Sequence, residues 1–272
     1  PILLQVQDVL KALGDFAAWY REYLGIRVVG ITGSCGKTTT KELIFSILGK
    51  KWKVAKTPGN FNNLIGLPLS LLSAKSDDSW AVLEMGTNQP GEIPRLCEIA
   101  KPQVGLITTI QPAHLVGLGD IKQVAGEKWE LWRALPQTGM AVVNLDDPLV
   151  TEGAKDLTCR IVGYSMEHKA PASSNHQITK SPNHQITCLS WTPGGHGTLL
   201  DLDIAESRLS VDLPLIGRAN VQNAVAAAAI GHAVGLTPAR IKQGLEEVKP
   251  VPCRLFLKNI GPEWRLIDDS YN

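Results

Sequence analysis

The 272-residue chain predicts a mostly parallel, doubly wound α/β sheet with a small antiparallel β-sheet appended, and three observations carry that reading. Apolar runs alternate with helical patterns along the first half of the chain. Those runs are apolar along their whole length, as strands buried on both faces of a parallel sheet require. From about 161 to 215 the pattern changes to short alternating segments, "TLLDLDIA" and "RLSVDLPL", separated by Pro, Gly and Asn, which reads as an antiparallel unit.

The elements follow in order. Val9, Leu13, Phe16, Ala17, Tyr20 and Leu24 recur at helical spacing, so residues 8–24 predict one amphipathic helix, read as a connector (1–24) leading into the main domain (25–272). "RVVGIT" precedes a helix over 37–49, "WKVAK" a helix over 67–72, and "WAVLEM" a helix over 92–100. "QVGLITTI", a helix over 121–135 and "MAVVNLD" continue the series. After the 161–215 segment come an Ala-rich helix over 220–234, another over 238–248, and a last strand in "WRLIDDS". "NHQITKSPNHQIT" repeats a pentapeptide, too short to signal a repeat architecture.

Composition excludes several classes. The 27 basic and 26 acidic side chains leave a net charge of +1, so no summed field draws in nucleic acid or an anionic membrane. The five cysteines at 35, 97, 159, 188 and 253 show no metal-binding spacing, and a reducing compartment, the cytoplasm, is expected. No stretch approaches the ~18 consecutive apolar residues of a membrane span. Both ends read as cut from something longer.

"VVGITGSCGKTTTKELIFSIL" (28–48) is the most informative segment. A loop of small residues between a buried strand and a helix N-terminus lets backbone N–H groups converge on phosphate oxygens, with the helix dipole favouring the negative charge. Lys37 would then reach the β/γ phosphates and Thr38 would ligate Mg²⁺. The strict GxxxxGK[ST] pattern is missed, because position 31 is Ile and the glycines fall at 30, 33 and 36. A Gly-rich turn with a solvated lysine is the plainer reading of the same residues.

The spacing "TGSCGKTTT" resembles the ATP loop of the Mur ligase family, ATP-dependent amide ligases of peptidoglycan precursor synthesis. "TTTKE", "TPGNFNNLIGLPLSLL", "AVLEMGTNQPGEI", "AHLVGLGDIKQVAGEKWEL", "VNLDDP", "NVQNAVAAAA" and "LIDDSYN" extend the resemblance through almost the whole chain. They narrow it to the branch that adds D-Ala-D-Ala to UDP-MurNAc-tripeptide. The resemblance implies ATP as the nucleotide, two Mg²⁺ sites and small-molecule substrates; with no nucleic acid and no membrane span indicated by charge and hydropathy, a monomer is expected. It also implies that this chain is the central ATPase domain, without the family's N-terminal and C-terminal domains.

Site residues follow from the matched motifs. Thr32, Gly33, Ser34, Cys35, Gly36, Lys37, Thr38 and Thr39 would bind ATP phosphates. Thr38, Glu84, His114 and Lys128 would ligate metal, Lys128 as a carbamate, and Lys37, Lys128 and His114 would be catalytic. Asn223 would read adenine, Arg254 clamp phosphate and Asp269 hold the ribose hydroxyls, while Asn60 and Asn63, with Asn62, would lie near the substrate. Plainer readings stand beside these: a salt-bridged Glu84, a structural His114, an exposed Lys128 between Glu127 and Glu130, helix-capping asparagines, a surface ion pair for Arg254. Two positions depart from the family pattern, since Ala219 replaces a His and Cys253 a Gly. Trp129 and Trp132 read as core. A sister ligase, such as folylpolyglutamate synthase or another Mur enzyme, and a P-loop module without ligase activity remain alternatives.

Overall fold

The computed structural model describes residues 3, 5–113, 115–166, 185–261 and 264–271. Eleven strands and nine helices among them run α1 (Val9–Leu24), β1 (Arg27–Thr32), α2 (Lys37–Leu48), β2 (Val54–Lys56), α3 (Gly66–Leu72), β3 (Trp80–Glu84), α4 (Glu92–Ala100), β4 (Val104–Ile107), α5 (Leu115–Leu118), α6 (Ile121–Arg133), β5 (Met140–Asn144), α7 (Pro148–Gly153), β6 (Arg160–Ser165), β7 (Gln185–Pro193), β8 (Thr198–Ile204), β9 (Ser207–Leu213), α8 (Arg218–Ala233), α9 (Pro238–Glu246), β10 (Phe256–Asn259) and β11 (Arg265–Asp268).

One nine-stranded sheet has the order β2-β3-β1-β4-β5-β6-β7-β8-β9, and β10-β11 form a separate antiparallel pair. Strands β2 to β7 pair in parallel, whereas β7-β8 and β8-β9 are antiparallel. The antiparallel strands therefore extend the main sheet. β6, which opens the segment read as antiparallel over 161–215, instead runs parallel to β5. The reason is α7: this six-residue helix supplies the crossover that parallel neighbours need, and it is too short to register as a period. Asp147 caps it, accepting from Leu149 and Val150 N–H, with Pro148 in the first turn. The first NHQIT copy lies outside the described residues, and the second is described only from Gln185, in β7.

Alternate residues of each central strand enter different cores. Val29, Ile31, Val82, Leu106 and Val142 pack with α2, α8 and α9. Val28, Leu83, Ile107 and Val143 pack with α3, α4 and α6 on the other face. This is why the runs read as uniformly apolar. Trp132 is buried in the second core, its Nε1 donating to Gly105 O at 3.0 Å, and Trp129 Nε1 donates to Leu149 O at 3.0 Å, so both are packing residues. α1 begins at Asp8, whose side chain accepts from Lys11 N–H, and ends at Gly25 in the left-handed conformation.

After β1 the chain builds outward to β2 and β3 on one side, then to β4, β5 and β6 on the other. The reversal at β1 opens a crevice at the carboxyl ends of β1, β3 and β4, where ligands of such sheets bind.

Candidate functional site

The loop after β1 is held in one shape by its neighbours. Gly33 has φ 144° and Gly36 φ 85°, conformations that glycine adopts without strain. A methyl at Gly33 would collide with the Thr108 side chain, and one at Gly36 with the Asn223 side-chain oxygen. Ser34 N donates to Thr109 O at 2.8 Å, Thr108 Oγ1 to Cys35 O at 2.5 Å, and Ser34 Oγ to Gln111 O at 2.9 Å, so the segment after β4 braces the loop. Gly36 is the N-cap of α2 and provides no capping side chain, which leaves the first-turn N–H groups available to an anion. Gly33→Ala is expected to lower stability by about 1–3 kcal/mol, read as a shifted urea midpoint. An unchanged midpoint would mean that Thr108 can move aside at no cost.

Lys37 arches over this loop, its Nζ donating to Gly33 O at 2.8 Å and Ser34 O at 3.4 Å. Thr38, one residue on, donates from Oγ1 to Glu84 Oε2 at 3.0 Å. The other oxygen of Glu84 accepts from Asn62 Nδ2 at 2.9 Å, and Glu84 N donates to Thr57 Oγ1 at 3.0 Å. Glu84 is 2% exposed. Its hydrogen-bond partners are a hydroxyl and an amide rather than a cation, so the salt-bridged reading of this carboxylate does not hold.

Lys128 is also 2% exposed, which removes its reading as a solvated helix lysine. Glu127 turns away to accept from the N–H groups of Gly91 and Ile93 at the start of α4, and Glu130 pairs with Arg133. Burial, and then the nearby Lys37 charge, push the Lys128 ammonium down to about 8 against the opposing pull of Glu127. Burial also lowers Lys37, opposed by Glu84 and Cys35 and assisted by Arg254. Lys37, bonded to the loop, is thus within electrostatic reach of two further cations from distant parts of the chain, Lys128 and Arg254.

Asn223 on α8 packs against Gly36 and donates to Asn220 Oδ1 at 3.4 Å. Asn220 is not the N-cap expected of it: Gly217 is, and the Asn220 amide donates back to Ile216 O at 2.9 Å. The Arg254 guanidinium lies 3.7 Å from the Tyr271 ring centroid, and the Tyr271 hydroxyl accepts from Asn60 Nδ2 at 3.3 Å. Arg254 therefore stacks on a ring where a surface ion pair was the plainer expectation. Asp269 accepts from Leu255 N–H at 3.0 Å and ties the end of the chain to the same turn. Cys253, where the family resemblance implied glycine, has φ 62°, the left-handed region that glycine favours. The Asn63 side chain faces backbone, accepting from Ile65 and Gly66 N–H at 3.1 and 2.8 Å as a turn residue does. His114 lies outside the described residues.

No cluster of three or more His, Cys, Asp and Glu suited to a metal occurs among the described residues. The donors at Glu84 are one carboxylate and hydroxyl and amide groups beside a phosphate-type loop. That set fits Mg²⁺, which takes one or two carboxylates and completes its shell with phosphate oxygens and water.

Residues 31–231 match the model of the Mur ligase middle domain. The chain belongs to the Mur ligase family. This Mur ligase is 37% identical over 269 residues to the UDP-N-acetylmuramoyl-tripeptide–D-alanyl-D-alanine ligase of Escherichia coli (strain K12), covering 99% of this chain and 57% of the relative. The ligase of the same name from Bacillus subtilis (strain 168) is 35% identical over 270 residues, covering 99% and 55%. The chain thus spans a little over half the length of these curated relatives. A crystal structure of MurF from Acinetobacter baumannii superposes with a TM-score of 0.87 at 31% identity, covering 99% of this chain and 56% of that one. MurF ligase from Thermotoga maritima in complex with ADP gives 0.82 at 27%, covering 99% and 59%.

Two residues of this Mur ligase site escaped the sequence reading. Lys41, fully buried on α2, donates to Gly59 O at 2.8 Å, and burial lowers its ammonium against the pull of Glu42 and Glu84. Its signal was present, since Lys37, Lys41, Ile44 and Leu48 share one helical stripe. Tyr271, which joins Arg254 to Asn60, carried no local signal because its partners are distant in sequence.

Proposed function

We propose that this chain is the ATP-binding middle domain of a cytoplasmic ligase joining D-Ala-D-Ala to the peptide carboxylate of UDP-MurNAc-tripeptide, in peptidoglycan precursor synthesis. The observation that carries it is the uncapped start of α2, with Lys37 folded over its loop and Glu84 held beside Thr38. Relatives of that name over 99% of the chain supply the substrate class. In this reading residues 1–24 connect to a UDP-sugar-binding domain, residues 25–272 hold the nucleotide, and a further domain brings the amine.

The backbone N–H groups of 33–39 and the Lys37 ammonium bind the nucleotide phosphates, and Arg254 neutralises charge developing at the γ-phosphoryl group. Asn223, beside Gly36, faces the base, Asp269 the ribose and Asn60 the substrate side, while Asn63, expected there too, instead shapes the turn with its side-chain oxygen. Thr38, Glu84 and Lys128 as a carbamate would hold one Mg²⁺, with His114 at a second. Such an ion supplies charge stabilisation to the phosphoryl oxygens. A buried Lys128 amine near neutrality suits carbamate formation, because CO₂ adds to the unprotonated nitrogen. The γ-phosphoryl group passes in line to the substrate carboxylate, giving an acyl phosphate. The D-Ala-D-Ala amine attacks its carbonyl carbon, and the tetrahedral adduct expels phosphate as the amide forms.

The test is ADP release by the full-length protein, expected only when UDP-MurNAc-tripeptide and D-Ala-D-Ala are both present. Turnover with glutamate or diaminopimelate in place of the dipeptide would assign a sister ligase. ADP release without either substrate would point to a plain nucleotidase.

A further inference from the structure

Lys41 is an expensive residue at its position. It is 0% exposed on α2, beside Leu43 and Ile44 of the core. Taking an ammonium out of water carries a penalty of several kcal/mol unless it is well paired. Its compensation is slight: one backbone carbonyl, Gly59 O at 2.8 Å, and Glu42 Oε1 at 3.4 Å, a carboxylate that also pairs with Lys56. A methionine of similar length would fill the space without that penalty, so stability does not account for the lysine.

What the ammonium holds does account for it. Gly59 lies near the start of a loop over 58–63 that is outside any helix or strand. The loop is fixed at its start by Thr57 N–H donating to Val82 O, and at its end by Gly86 N–H donating to Asn62 O at 2.7 Å. Between these anchors Gly59 has φ 52°, and Lys41 supplies the contact that reaches it from α2. The loop delivers Asn62 Nδ2 to Glu84 Oε1, while Glu84 Oε2 takes the Thr38 hydroxyl. Glu84 also acts on the Lys41 charge directly. Lys37 and Lys41, one turn apart, therefore face different tasks: Lys37 the phosphate loop, Lys41 the loop that orients the carboxylate.

We propose that Lys41 is a positioning residue, which by holding the Gly59 carbonyl fixes the loop that keeps the Asn62–Glu84 pair in the orientation that receives the divalent cation. The inference rests on Glu84 being a metal ligand, as proposed above.

The test measures ADP affinity of the full-length protein by calorimetry, with Mg²⁺ and with EDTA, for wild type, Lys41→Met, Lys41→Gln, Asn62→Ala and the Lys41→Met/Asn62→Ala double variant. The Mg²⁺-dependent gain in affinity is expected to fall about tenfold in Lys41→Met, with affinity in EDTA unchanged and the melting temperature no lower. Lys41→Gln, which keeps a donor but no charge, is expected to fall between. The double variant is expected to be no worse than the poorer single, because both act through one carboxylate. A full Mg²⁺ gain in Lys41→Met would overturn the proposal. So would an equal loss with and without Mg²⁺, or loss of cooperative melting in both Lys41 variants. Wild type showing no Mg²⁺ gain at all would instead remove Glu84 as a ligand, and the proposal with it.

Discussion

Lys37→Ala in the full-length protein is expected to lower kcat for ligation by about a thousandfold, the scale of losing a pre-placed donor to developing charge. Its effect on the fold is expected to stay within about 1 kcal/mol. The two magnitudes separate because the Lys37 ammonium bonds only to loop carbonyls, those of Gly33 and Ser34, while the loop is braced independently through Thr108, Thr109 and Gln111. Loss of the lysine therefore removes charge from the anion site without removing the contacts that shape it. ADP release with both substrates present measures the first quantity and thermal melting the second. A variant within tenfold of wild type would take Lys37 off the phosphates. Calorimetry with Mg-ATP and Mg-GTP on the same pair reads base selection, for which the Asn223 side of the loop is the candidate.

Lys128→Met is expected to lose at least about a hundredfold in activity and yet to be the more stable protein at pH 7. The Lys128 ammonium falls to about 8 in the folded chain, well below the 10.5 of an ordinary lysine. Between those values the unfolded chain binds more protons than the folded one, so stability rises with pH there. Below about pH 8 the folded state carries the full penalty, roughly 3 kcal/mol at 1.36 kcal/mol per pH unit. Urea unfolding in CO₂-free, Mg²⁺-free buffer should show the variant ahead at pH 7 and the difference shrinking towards pH 10. A variant less stable at pH 7 would mean that Lys128 serves the fold. The same titration bears on the carbamate. With ¹³C-bicarbonate, a carbamate signal is expected to grow as pH rises through 8 and to be missing from Lys128→Met.

Much of the architecture was legible because its signals are local. Gly33, Gly36, Lys37 and Thr38 lie within six residues, and the strand before them and the helix after them announce themselves by period alone. α4 falls at 92–100 as read, since its apolar stripe is complete within nine residues. β6 fell inside the segment read as antiparallel because strand direction depends on the crossover, and α7 is too short to show one. β10 escaped because it is four residues long and its pairing with β11 is made across a turn. The Asn220 capping expectation failed for a similar reason: the N-cap lies three residues earlier, at Gly217, which provides no capping side chain.

The sequence by itself determined the layered α/β class, the phosphate-type loop and the family, because each is written in contiguous residues or in motifs at fixed spacing. Only the tertiary structure decided that Lys128 and Lys41 are buried amines, that Glu84 takes Thr38 and Asn62 rather than a cation, and that Tyr271 joins Arg254 to Asn60. Burial and charge proximity are properties of groups brought together across tens to hundreds of residues. The penalty on a buried ammonium depends on what lies within a few ångströms of it, and no local pattern records that.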